Sequence, residues 1–166
     1  MSEVIPNEVI STIVSDTGIA TNKQPTLAQI EKSELERIEA DFLKRPQVEC
    51  PLKHQFAPGV YLREIEMPVN TFIIGHEHKT KHFNIVLSGR ASVIINGELL
   101  DIVAPCIFVS EPGVRKVLYI RETMRWLTVH PTDETDIDKL EDMMIVRSEA
   151  FMAHKELETL QNKLKQ

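Results

Sequence analysis

The stretch Gly75-His-Glu-His-Lys-Thr-Lys-His-Phe-Asn-Ile-Val-Leu-Ser-Gly89 decides how this chain is read. His82, Asn84 and Val86 fall in one phase of an alternating run, the pattern of a half-buried strand. His76 and His78 are two apart, so on an extended backbone their rings leave the same face. The polar Lys79-Thr80-Lys81 then makes a turn, and a strand starting at His82 swings that ring back toward the first two. Three imidazoles converging from paired strands suit a borderline divalent ion and leave coordination positions open for water or substrate. A single histidine reads more simply as a surface or hydrogen-bonded residue. Here half of the chain's six histidines fall in one short run, in the phase a ligand set requires.

Outward from this run, short apolar-polar segments recur between turn signals. The pattern predicts strands over 59–66, 71–78, 82–88, 91–95, 98–103, 107–110, 115–120 and 125–130. Gly89 reads as a turn, and Asn96-Gly97 is a strong two-residue hairpin signal. No helical period lies between the strands, which excludes parallel βαβ architecture and leaves an antiparallel sandwich or small barrel. The organisation expected is an N-terminal arm and helix over 1–48, a β-barrel over 49–131 and a helical extension over 132–166, in one compact unit. In the first part a short helix is expected at 7–15. A longer one is expected at 26–45, opened by the Thr26/Gln29 capping box and stopped by Pro46. In the last part a helix over 132–144 precedes a seam of Ala150, Ala153, Leu157, Leu160 and Leu164, which can pack on the barrel or pair with a second copy.

The histidine run resembles the first motif of the cupin superfamily, His-x-His-x-x-x-Glu followed by a terminal Gly. His76, His78 and Gly89 take the matching positions, and His82 stands where that family usually has glutamate. The second cupin motif, Pro-x-Gly-x-x-His, is matched in part by Pro112-Gly113-Val114-Arg115-Lys116, with Lys116 in place of the usual fourth ligand. The short spacing from Gly89 to Pro105 resembles that of compact cupins, and the likeness covers roughly 56–131. More loosely, the acidic His130-Pro-Thr-Asp-Glu-Thr-Asp136 segment resembles small single-domain cupins of tailed bacteriophages. The resemblance implies a mainly β, double-stranded β-helix (jelly-roll) barrel with flanking helices. It implies a dioxygenase- or isomerase-like enzyme, or a non-catalytic binding or assembly barrel such as a phage accessory or virion protein. Because fold does not determine reaction, whether the chain is an enzyme stays open here.

The ligand set read from the run is His76, His78 and His82, for iron, zinc, nickel or manganese. A neutral three-histidine set leaves the ion's charge uncompensated, which favours an anionic ligand. Two residues are candidates to hold that ligand: Lys116, if it faces inward rather than merely solvating its strand, and Asn84, in phase with His82. His130, in phase with Trp126 and Thr128, is a fourth ligand, a group bonded behind the ligands, or a cap on its strand. Tyr61, Arg63, Phe72, Ile74 and Tyr119 are strand residues that line a pocket or simply pack. Glu111 and Arg115 flank the Pro112-Gly113 turn as a possible ion pair, and Cys106 reads as core.

Of the 166 residues, 42% are hydrophobic, enough to fill one domain core, and 27% are charged. The formal net charge of −6 argues against a nucleic-acid binder, which needs clustered Lys and Arg. No apolar run approaches the roughly 20 residues that a membrane span requires. The N-terminal sequence lacks the layout of a secretory signal, and two cysteines make no disulfide framework. A cytoplasmic, homo-oligomeric protein with a small anionic partner is the expectation.

Overall fold

The computed structural model of the chain describes residues 32–95 and 98–164. The expected helix at 7–15, the Thr26/Gln29 cap and the Asn96-Gly97 turn lie outside them. The first described element is α1 (Lys32–Phe42), followed by the strands β1 (Leu52–Ala57), β2 (Val60–Met67), β3 (Phe72–Ile74), β4 (Glu77–His78), β5 (His82–Ile95), β6 (Glu98–Val103), β7 (Cys106–Ser110) and β8 (Lys116–Pro131). The chain then closes through α2 (Ile137–Met144), β9 (Ile145–Val146) and α3 (Glu149–Leu164). The protein is mainly antiparallel β, with helices at both ends. No helix among the described residues is long and apolar enough to cross a membrane.

Two long strands organise the barrel, because each serves two sheets. The first part of β5 pairs with β7 through Phe83↔Val109 and Ile85↔Ile107, and its second part pairs with β6 through Ala91↔Ile102 and Val93↔Leu100. The first part of β8 pairs with β3 and the last part with β2, while β5 and β8 pair with each other along most of their length. Splitting both at the bend gives one sheet ordered β1-β2-β8-β5-β7 and a second ordered β3-β8-β5-β6. These two sheets, with Greek-key crossings, make a jelly roll.

Gly89 is where the sequence reading and the structure differ most. It does not end a strand: β5 runs through it, with register shifts between Val86 and Ala91. Its φ of +89° belongs to the left-handed region, and a Cβ there would lie 2.4 Å from the Thr123 carbonyl oxygen and 2.7 Å from that of Glu122. Glycine is needed so that β5 can bulge against β8 and cross from one sheet to the other. The matching bend lets β8 continue through 121–124, where two separate strands were expected. Likewise 71–78 is two strands, β3 and β4, and β1 was not foreseen, because its mostly exposed side chains carry no burial period.

Between the sheets, Val86, Val93, Ile120, Met124 and Trp126 form the sealed centre of the core. Each such side chain contributes roughly 1.5–3 kcal/mol on burial. Cys106 packs against this cluster, as expected of a core thiol. Outside the barrel, α1 sits against the start of β8 through the buried Arg115–Glu39 pair at 2.5 Å and through Phe42 on Phe72. The expected Glu111–Arg115 pair is not made. Glu111 meets Lys81 at 2.6 Å instead, because Arg115 turns inward toward α1 and the Gly75 carbonyl.

The C-terminal segment closes over one end of the barrel. Asp136 caps α2 by accepting from the Asp138 and Lys139 amides, and Leu140 and Met144 pack on Tyr61 as a second small core. β9 then pairs with β4, Ile145 opposite His78. In α3 no residue is buried, and Leu157, Leu160 and Leu164 of the predicted seam face solvent.

Candidate metal centre and the cavity beside it

His78, His82 and His130 come together at the closed end, with one ring nitrogen of each lying within 4.8 Å of the others. The register explains the meeting. One step beyond the Phe83↔Val129 pair, His82 on β5 stands beside His130 on β8, and both point inward in phase with Asn84, Val86, Trp126 and Thr128. His78 is brought in from β4, which is anchored on three sides. Its own carbonyl accepts from the Gly113 amide at 2.9 Å, Lys79 donates its amide to the Met144 carbonyl, and the Lys79 ammonium donates to the Asp142 carbonyl. The rings lie face to face, His78 4.2 Å from His82 and His82 4.8 Å from His130.

Each ring keeps one buried nitrogen free of hydrogen bonding. His82 Nδ1 lies 2.9 Å from the Thr80 carbonyl, to which it can only donate, so Nε2 carries the free lone pair. That Nε2 is buried without a partner, as are Nδ1 of His78 and Nδ1 of His130. Burial is the largest cause depressing all three titrations. It acts with the neighbouring His82, then Lys116, His130 and Arg63, to bring His78 down to about 2, and with His82 and Arg63 to bring His130 down to about 4. His82 is also lowered, against the opposing effect of the Thr80 carbonyl. All three rings are therefore neutral at pH 7, the state in which imidazole binds metal. Three neutral imidazoles with orphaned buried nitrogens fit a divalent transition-metal ion.

His76 does not join this set. The strand breaks at residues 75 and 76, where Gly75 donates to the Lys116 carbonyl and accepts from Arg115, so the two-residue phase that would align His76 with His78 is lost. Its ring instead meets Phe151 of α3 edge-on at 4.7 Å. His130 takes the third place, and the signal for it was its phase with Trp126 and Thr128. Asn84 has another job than ligand contact: its amide donates to Ser110 Oγ and accepts from Trp126 Nε1, tying β5, β7 and β8 together. Lys116 is buried, 8% exposed, and faces the histidines closely enough to lower their titration, while burial brings its own pKa down to about 8.

A cavity of about 670 Å³ adjoins the triad, and His78 and His130 form part of its wall. Arg63 and Tyr61 enter it from β2, His76 from the broken strand, and Glu141, Met144 and Phe151 from the C-terminal segment. Tyr61 stacks on His130 at 6.0 Å, and its hydroxyl is 2.7 Å from His54 Nδ1, so His54 braces the wall from behind. The volume falls in the range of small-molecule sites.

No protein-family model matches the chain, and no curated protein does. Among solved structures the chain is similar to a cupin family protein of Methanocaldococcus jannaschii described as RmlC-like with a double-stranded β-helix fold. The identity is 12%, the match covers 58% of this chain and 90% of that one, and the TM-score is 0.44. It is also similar to the EutQ protein of Clostridium difficile (18% identity, 51% and 70% covered, TM-score 0.43) and to the cupin domain of Schizosaccharomyces pombe Cnp3 (19%, 58% and 74%, 0.43).

Proposed function

We propose that this protein binds one divalent transition-metal ion through His78, His82 and His130 and presents it to a small anionic ligand entering from the adjoining cavity. The observation that carries the reading is the set of three neutral imidazoles, two buried and one half-buried, that bring one ring nitrogen each within 4.8 Å of the others and each keep a buried ring nitrogen without a hydrogen-bond partner. Such an ion supplies Lewis acidity, polarising a bound oxygen or lowering the pKa of a coordinated water. The chain's own residues do the rest. Thr80 holds the His82 tautomer, Tyr61 packs against the His130 ring, and the β4–β9 pairing holds His78 in place. Lys116 adds positive charge that reaches His78 and His82, which favours an anion over a neutral ligand. A dioxygenase- or isomerase-like reaction on that anion is the activity this arrangement would serve.

The test is elemental analysis of tag-free protein after reconstitution with iron, zinc, nickel and manganese. Wild type is expected to hold close to one equivalent of one of these metals, His78→Ala/His130→Ala to hold none, and His76→Ala to retain it. Loss in His76→Ala with retention in His130→Ala would restore the ligand set read from the sequence run. No uptake by wild type would end the metal reading.

A second reading, an assembly barrel, is favoured by one observation. The outer face of the β1-β2-β8-β5-β7 sheet exposes Phe83 (55%), Ile107 (68%) and Val109 (44%) side by side. A homo-oligomer is compatible with both readings.

A further inference from the structure

We infer that Arg63 anchors the carboxylate of an organic acid with an apolar body, lying in the cavity beside the histidine triad. Arg63 points inward from the middle of β2, between Tyr61 and Ile65, and lines the cavity together with His78 and His130. Among the described residues no carboxylate forms an ion pair with it. Other arginines are matched by carboxylates: Arg147 on the same cavity by Glu141 at 3.0 Å and by Asp142, and elsewhere Arg115 by Glu39 at 2.5 Å and Arg125 by Glu64 at 2.8 Å. Burial lowers the Arg63 titration, with Tyr61 and Glu141 opposing it; Glu141 lines the same cavity, yet it is engaged by Arg147. Arg63 is half-buried, so its guanidinium is partly withdrawn from water without an ion-pair partner, and a ligand carboxylate would relieve that desolvation cost.

The surroundings select the class of anion. Arg63 offers parallel N–H donors that match the two oxygens of a carboxylate. A phosphate would bring further charged oxygens toward Glu141 and Asp138 on the same wall, which repel them. Most of the remaining wall is hydrocarbon: Ile65, Ile73, Ile74, Leu140, Ile145 and Phe151. Lys155 reaches the rim, where it lies over the Phe151 ring. An acid with an aliphatic or aromatic body of a few carbons fills this space with its head on Arg63 and its tail among these side chains. The inference rests on the proposed metal site only for what the ligand meets next to its head group; the anchoring itself needs Arg63 and the cavity alone.

The test is calorimetric titration of octanoate, 3-phenylpropionate, their primary amides and inorganic phosphate into metal-loaded and metal-free protein. The wild type should bind at least one acid tenfold or more tighter than its amide and than phosphate. Arg63→Gln should lose that preference while keeping its metal content and melting no lower than wild type, since the substitution removes an uncompensated charge. Arg63→Lys, which keeps the charge but not the fork, should fall between. If Arg63→Gln fails to fold, the acid-over-amide ratios of wild type and Arg63→Lys decide. Equal binding of acid and amide by wild type, an unchanged ratio in a folded Arg63 variant, or tighter binding of phosphate would each overturn the assignment. A preserved acid preference in protein that takes up no metal supports the anchor and removes the metal reading by itself.

Discussion

Burial, more than any partner, sets the protonation of the histidine triad, and stability should follow it. In the unfolded chain each imidazole titrates near its ordinary pKa of about 6.5. In the folded, metal-free protein His78 holds out to about 2 and His130 to about 4. Below the ordinary value the unfolded state therefore binds more protons than the folded one, and stability is lost as pH falls. Each of these two rings should remove about 1.4 kcal/mol per pH unit below pH 6.5, the loss saturating near the folded value of each. Urea midpoints of the apoprotein between pH 7.5 and 5 should show this slope, and His78→Gln should reduce it. A flat profile would mean that the rings are not held neutral by burial. At the same scale, the cluster of histidines in 76–82 was legible as ligand-bearing, whereas the membership of the triad was not. His76 is in phase with His78, and His130 with Trp126 and Thr128, so phase alone does not choose between them; they differ in whether their strand stays intact.

Among the elements, β5 shows how a single residue can redirect a strand. Gly89 lets fourteen residues run through both sheets, and its missing Cβ is the room in which the backbone of β8 at Glu122 and Thr123 sits. Gly89→Ala would both strain the left-handed backbone and collide with main chain, which cannot rotate away. A destabilisation of at least about 2 kcal/mol is expected, read as a lower urea midpoint at unchanged slope. A loss under 0.5 kcal/mol would show that the bulge relaxes freely. The sequence marked Gly89 as special but read it as a turn, because a bulge and a turn ask the same backbone freedom of glycine. What separates them is whether a second strand lies alongside.

At the level of the whole molecule, the C-terminal segment and the barrel make the cavity jointly, since β2, β3, β4 and the end of β8 supply one wall and α2, β9 and α3 the other. The apolar outer face around Phe83, Ile107 and Val109 lies on a different surface, on the outward side of the sheet that carries His82 and His130. A homodimer through that face is expected to show twice the chain mass in light scattering and to become monomeric in Phe83→Glu/Ile107→Glu, with metal content unchanged. A monomeric wild type would remove the assembly reading. An oligomer indifferent to the double substitution would move the interface elsewhere, with the exposed Leu157, Leu160 and Leu164 of α3 the next surface to test.

Alternating burial along 82–88 and 125–130, the turn residues and the absence of helical period placed this chain among antiparallel β-barrels, because side-chain periodicity is a local consequence of a strand having one buried face. Histidine spacing likewise located one side of the site. Both are short-range properties. Pairings between distant strands decided the remainder: the jelly-roll crossing of β5 and β8, the arrival of His130 beside His82, the diversion of His76 toward α3, and the cavity beside Arg63. No local pattern encodes which strand will lie next to which, so the third ligand and the unpaired guanidinium became visible only when register brought them to the same end of the barrel.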